Sequence, residues 1–317
     1  MPLALCCLSH SPLMEYVHPQ ADVRGRVDEA LAGARSFVED FDPELVVIFA
    51  PDHYNGFFYD MMPPFCIGGR AQAIGDFGTP EGPLSVDHEA ALAVTRSVLA
   101  DGVDTAMSQD MVVDHGFSQP LDILLGGIDK KPVVPVFINS VAEPFVPVSR
   151  VRALGEAVGR AAAELDKRVL VVGSGGLSHD PPVPRMAQAD TEEKVRKLIN
   201  NRNPSDEARA ARQARTIAAA EAFAAGSADL HPLNPAWDNL VLDTLGDPAR
   251  LREVDGWTSE WFTEEAGNSA HEVRTWIAAH AALSAAGEYR TRSRYYEAIE
   301  AWIAGFGVVT ATPVPAS

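Results

Sequence analysis

Short apolar runs alternate with amphipathic stretches through the first half of the chain. LALCCL (3–8), ELVVIFA (44–50), PVVPVFIN (132–139) and RVLVVGS (168–174) are nearly continuous apolar and β-branched runs, the pattern of strands buried on both faces. Between and around them, 23–41, 86–100, the stretch from His115 through SQPLDILLGG, and 148–165 carry apolar residues at helical spacing. Strands separated by helices predict an α/β fold with a mostly parallel central sheet flanked by helices. Beyond Asp180 the pattern changes. PPVP (181–184) breaks the chain, and 191–225 is charged, alanine-rich and helical in period. Further helices are predicted over 234–245 and 270–286, ahead of a tail bearing Tyr, Trp and Phe. The organisation expected is one domain over 1–317, with an α/β core at 1–185 and a mainly helical C-terminal elaboration at 186–317. The charged stretch reads as a solvated helical hairpin or as a subunit contact in a homo-oligomer.

Composition narrows the function. The 317 residues are 46% hydrophobic and 22% charged, ordinary for a globular protein, with a formal net charge of −18. Such a surface repels phosphate backbones, which argues against nucleic acid as a partner, yet a local pocket can still be positive. The three cysteines, Cys6, Cys7 and Cys66, show no CxxC spacing, so neither a disulfide framework nor a thiolate metal site is indicated. MPLALCCLSHSPL lacks a basic leading segment, and no stretch has the roughly 18 uninterrupted apolar residues that span a bilayer. A cytoplasmic, reducing setting without membrane contact is expected.

Four of the nine histidines occupy one kind of position. His10 follows the first strand in LSHSPL, His53 follows the second in APDHYNGFFYD, and His179 closes GSGGLSHDPP after RVLVV. His115 sits in VDHGFSQP at a predicted helix start. Ligand sites in open α/β sheets gather beyond the carboxyl ends of strands. One such histidine is unremarkable, but four imply a convergent imidazole cluster built for metal or proton chemistry. Glycines and prolines flank all four, either to aim the side chains or simply as loop punctuation. Two histidines and one carboxylate with open positions would suit non-haem iron(II); zinc on the same ligands would imply a hydrolase, so ligand type leaves the metal open. The aromatics of HYNGFFYD (53–60) read as lining for a ring pocket or as core.

Sharper motifs fail. GSGGLS (173–178) follows a strand but is succeeded by HDPPVP rather than a helix, which excludes a dinucleotide loop. HEVRT (271–275) has Thr275 where a zinc protease needs its second histidine. His271 and Glu272, adjacent on a helix, point too far apart to share one ion. His280 shares a face with Val273 and Trp276 and is expected in the core or an interface. GxSxG is absent from the sequence.

Around the four histidines the chain resembles the type III extradiol dioxygenases, the protocatechuate 4,5-dioxygenase-like superfamily. The segments that carry the likeness are CLSHSPL, PELVVIFAPDHYNGFFYDMMPPFC, VDHGFSQPLDILLGG, PVVPVFIN, KRVLVVGSGGLSHDPPVP, LHPLNPAWDN and RYY…WIAGFG, spread over nearly the whole chain. The resemblance implies Fe(2+) as cofactor and a substituted catechol and O2 as substrates. It implies His10 and His53 as iron ligands with a glutamate from the C-terminal part, for which Glu272 is chosen over Glu260, Glu264 and Glu265. It also implies His115 as proton donor, His179 as proton acceptor, Asp114 as a partner of the histidines, and Pro181 as a residue shaping the loop of His179. A zinc hydrolase on the same ligands, or a non-catalytic binding member of the superfamily, are the competing readings.

Overall fold

The computed structural model describes residues 3–314. In chain order the first half runs β1 (Leu3–Leu8), α1 (Ala21–Phe41), β2 (Leu45–Ala50), β3 (Phe65–Gly68), β4 (Ala71–Ile74), β5 (Glu81–Pro83), α2 (His88–Ala100), β6 (Ala106–Ser108), β7 (Met111–Val113), α3 (His115–Leu125), β8 (Val133–Ile138), α4 (Val148–Glu164) and β9 (Val169–Ser174). The second half adds α5 (Glu192–Ile199), α6 (Asp206–Ala224), α7 (Pro235–Gly246), α8 (Ser259–Ala266), α9 (Val273–Ser284), β10 (Tyr289–Ile299) and β11 (Ala304–Pro313).

The main sheet has eight strands in the order β10-β11-β1-β9-β2-β8-β3-β6. Its centre, β1-β9-β2-β8, is parallel throughout, and antiparallel pairs enter at β8 with β3 and at β11 with its two neighbours. This is the mixed but mostly parallel α/β sheet that the apolar runs predict. Alternate residues of each central strand enter different cores. Leu3, Leu5 and Cys7 of β1, with Leu45, Val47 and Phe49 of β2, pack on the side of α2, α4 and α9. Ala4, Cys6 and Leu8, with Val46, Ile48 and Ala50, pack on the side of α1 and α3. Both faces are covered, so the strands show no hydrophobic alternation in sequence. Helix α9 is buried along Val273–Leu283, pressed between the sheet and α4, which makes its start a rigid platform.

Two regions depart from the simple pattern. The aromatic tail is a β-hairpin added to the sheet: β11 pairs with β1, and β10 forms the outer edge. Its sequence YRTRSRYYEAI keeps that edge polar and largely exposed, which discourages pairing with other chains. A three-stranded sheet β5-β4-β7 sits apart from the large one. The charged stretch forms two helices, α5 and α6, each opened by a side-chain cap, from Thr191 and Ser205.

Candidate active site

Because β1, β9 and β2 are parallel neighbours, the loops leaving their carboxyl ends emerge side by side. Those loops carry His10, His179 and His53, all buried. His115 arrives from the other side, as the first residue of α3, whose cap is Asp114 accepting from Gly116 N at 2.9 Å. Glu272, 1% exposed, reaches the same point from the turn that opens α9. Glu260, Glu264 and Glu265 are exposed on α8, away from the cluster.

Each ring has its Nδ1 bound outward. His10 Nδ1 donates to Ser174 Oγ at 2.9 Å, whose own proton goes to Gly116 O. His53 Nδ1 donates to Asp114 Oδ2 at 3.1 Å, His179 Nδ1 to Leu177 O at 2.8 Å, and His115 Nδ1 to Asp76 Oδ2 at 2.5 Å. With Nδ1 as the donor, Nε2 is the lone-pair nitrogen in all four neutral rings. Glu272 sits among those atoms: Oε1 is 3.0 Å from His53 Nε2 and 3.2 Å from His179 Nε2, and Oε2 is 3.4 Å from His10 Nε2. His10, His53 and His115 offer ring nitrogens within 4.8 Å of one another, and the His53 and His115 rings stack at 4.4 Å. His10 and His53 belong to both groupings, while His115 belongs to the first and His179 to the second.

Three lone pairs facing one buried carboxylate, with a fourth imidazole beside them, need a cation. Two ligand atoms about 2.1 Å from a shared ion, at right angles, lie about 3 Å apart, which is the spacing of His53 and His10 from Glu272. The donor set therefore fits a divalent metal. In the protein alone, protons serve instead. Burial opposes the charged forms, yet Asp114 and Glu272 outweigh it at His53 and Glu272 outweighs it at His179, and both rings are raised above the usual histidine range. At His10 burial prevails and lowers the ring to about 3. Burial likewise opposes the charge of Glu272, but His179 and His10 hold it well below the usual carboxylate range.

The supporting residues explain the flanking glycines and acids. Asp114 Oδ2 also accepts from His53 N at 2.8 Å and Asn55 Nδ2 at 2.8 Å, tying the two histidine loops together. Asp52 accepts from the backbone of Asn55, Gly56 and Phe57, and burial followed by the Asp114 charge pushes it up to about 7. In GSGGLS, Gly176 N donates to Glu272 Oε2 at 2.9 Å, and a Cβ on Gly175 would meet Glu272 Cβ at 2.8 Å. The loop cradles a carboxylate, which accounts for its glycines. Pro181 lines the cleft beside His179. His271 turns away, stacked on Phe145 at 4.1 Å and bonded to Thr263, and His280 is a core residue donating to Trp276 O.

Asp76 was not legible in the sequence. Parallel pairing of β4 with β7 sets Ala73 beside Val113, and three residues beyond Ala73 the turn DFG places Asp76 against His115. Its Oδ1 accepts His115 N at 2.8 Å while Oδ2 holds the ring. The cleft also contains Phe77 and Arg212 and opens into a larger cavity of about 660 Å³ walled by α5 and α6, with Tyr54 and Phe58 from HYNGFFYD in its lining. Phe57 of the same segment stacks on Phe137 in the core.

The family model described as the catalytic LigB subunit of aromatic ring-opening dioxygenase matches residues 4–307. The chain belongs to this family. A protein of Rhodococcus jostii is 61% identical over 314 residues, covering 99% of both chains. Relatives from Paraburkholderia xenovorans and Mycolicibacterium smegmatis are 57% and 55% identical, again over 99% of both chains. All three are named 2,3-dihydroxyphenylpropionate/2,3-dihydroxicinnamic acid 1,2-dioxygenase. The resemblance seen in the histidine segments is therefore borne out: the chain is an extradiol catechol dioxygenase, metal-dependent as its family is. Among the described residues no helix is long and apolar enough to cross a membrane.

Proposed function

We propose that this enzyme opens 3-(2,3-dihydroxyphenyl)propionate, and its cinnamate analogue, with O2 and iron(II). The bond broken lies between the propionate-bearing carbon and its hydroxylated neighbour, and the product is 2-hydroxy-6-oxonona-2,4-dienedioate, the substrate plus both oxygen atoms. The substrate follows the names of the relatives, and one observation carries the chemistry: Nε2 lone pairs from His10 and His53 meet Glu272, with His115 beside those two rings and His179 at the same carboxylate.

His10, His53 and Glu272 would hold the metal, two nitrogens and one carboxylate, the set that suits non-haem iron. Bound iron(II) supplies a Lewis acid for the diol and an electronic link between ring and O2. His179 Nε2 receives a phenolic proton. A phenol near pKa 10 and a histidine near 6.5 are mismatched in water; on that Lewis acid the phenol would be more acidic and the gap narrower, while Leu177 O on Nδ1 leaves Nε2 open to receive the proton. His115, held at Nδ1 by the Asp76 carboxylate, would act as the doubly protonated ring and deliver its Nε2 proton to the oxygen released as the ring opens, returning to the neutral Nδ1–H form. Asp114 keeps His53 and the start of α3 in register, and the apolar flank of Phe77 and Pro181 limits water. Three buried free thiols suit a reducing cytoplasm.

The test is an oxygen electrode. Anaerobically purified protein, given Fe2+ and 3-(2,3-dihydroxyphenyl)propionate, should consume one O2 per substrate and form a yellow ring-fission product. Absence of O2 uptake, or an activity restored by zinc alone, would overturn the proposal in favour of a hydrolase.

A further inference from the structure

The catechol end of the substrate has a site, and its carboxylate needs one. This chain carries a net charge of −18, yet the large cavity beside the histidines is walled by Arg185, Lys194, Lys197, Arg209, Arg212 and Arg215. Among the described residues the one carboxylate in its lining, Asp76, is engaged by His115. Three of the cations are already neutralised: Arg185 by Asp180 at 3.0 Å, Lys194 by Asp190 at 2.7 Å and Lys197 by Glu193 at 2.6 Å. Among the described residues no carboxylate oxygen lies within 4.0 Å of Arg209, Arg212 or Arg215, three arginines at successive turns of α6. Arg209 Nε is moreover buried without a partner.

Of these three, Arg212 also lines the histidine cleft, so it stands where cleft and cavity join. Its Nη2 donates to His53 O, and its Nε and Nη1 make no hydrogen bond within the described residues. The guanidinium is thus pinned by one corner, half-buried, with Nε–H, both Nη1–H and the second Nη2–H left for a ligand. Being held at the backbone of His53, it lies about one histidine side chain from the point where Nε2 meets Glu272. A three-carbon acid projecting from a ring bound at that point has a similar reach. A planar fork beside an apolar ring pocket is the arrangement that suits a carboxylate on an aromatic ligand.

We propose that Arg212 receives the side-chain carboxylate of the catechol, with Arg209 and Arg215 keeping the cavity positive around it. This rests on the substrate reading above. The experiment compares kcat/KM for 3-(2,3-dihydroxyphenyl)propionate with that for 3-propylcatechol, a neutral chain of the same length, in wild type, Arg212→Gln, Arg212→Lys and Arg209→Gln, with iron content measured for each. Wild type should favour the acid by about 10- to 100-fold, the range of a charge-assisted bond. Arg212→Gln should shrink that ratio to within about threefold, Arg212→Lys should recover part of it, and Arg209→Gln should lower it modestly. Arg212→Gln that keeps the wild-type ratio, or a wild type without preference for the acid, overturns the inference alone. A wild type that opens neither catechol overturns the substrate reading and this inference with it.

Discussion

Asp76→Asn isolates the least expected part of the site. The carboxylate accepts twice from His115, at the backbone N (2.8 Å) and at Nδ1 (2.5 Å). Asparagine has one acceptor oxygen and an NH2 group in place of the other, so one of the two His115 N–H groups must face a donor. If the ring loses the Asp76 charge, nothing favours the doubly protonated form, and Nε2–H is no longer offered to the cleft in a fixed direction. Loss of a charge-assisted hydrogen bond costs about 1.5–3 kcal/mol, which at about 1.4 kcal/mol per decade is roughly 10- to 150-fold in rate. The His53 stack at 4.4 Å keeps the ring in place, so the loss should fall on kcat, with KM and iron content changed less than about threefold. Steady-state formation of the yellow product, with His115→Gln and the double variant alongside, is the assay. Asp76 acts through His115, so in the His115→Gln background Asp76→Asn should cost nothing further. A kcat within about threefold of wild type, or two losses that multiply in the double variant, would refute this role.

Glu272→Gln removes the anion that three imidazoles surround; anaerobic equilibrium dialysis should show iron affinity reduced by at least about 100-fold. Wild-type affinity in that variant would remove Glu272 from the ligand set. Far from the site, burial lowers His280 from 6.5 to about 4. The folded state refuses a proton that the unfolded chain accepts below pH 6.5, so stability is complete above that pH and lost as pH falls toward 4. At about 1.36 kcal/mol per pH unit the loss is about 3 kcal/mol. Urea denaturation between pH 7.5 and 4.5 should show a slope shallower by one proton in His280→Gln, and equal slopes would contradict the burial argument.

How far the sequence could be read depended on the range of the interactions. His10, His53 and His179 could be grouped because each follows an apolar run long enough to identify as a strand, and parallel strands bring such loops together. His115 could be placed because Asp114 marks a helix start. Glu272 needed the family resemblance, since HEVRT alone does not say which residue of the pair turns inward. Asp76 was out of reach: it depends on the pairing of a four-residue strand with a three-residue one, too short for periodicity to show, across 39 positions of chain. The tail was assigned no element, because β10 is an edge strand with mostly polar side chains and shows no apolar run. The stretch 191–225 was correctly read as paired helices, but its solvated reading covered only part of it. Arg212 has Ala208 and Thr216 four residues away and arginines three residues away, so no acid on its own helix can neutralise it. That lack of acids was the one local sign that this face of α6 serves a ligand.

The arrangement of the metal ligands can be seen directly in crystals grown anaerobically with Fe2+, by anomalous scattering at the iron edge. One peak is expected per chain, bonded to His10 Nε2, His53 Nε2 and the Glu272 carboxylate, with His115 and His179 nearby and unbonded. A peak bound by His115 or His179 in place of His10 or His53, or iron lodged away from Glu272, would contradict the division of these five side chains into metal holders and proton carriers.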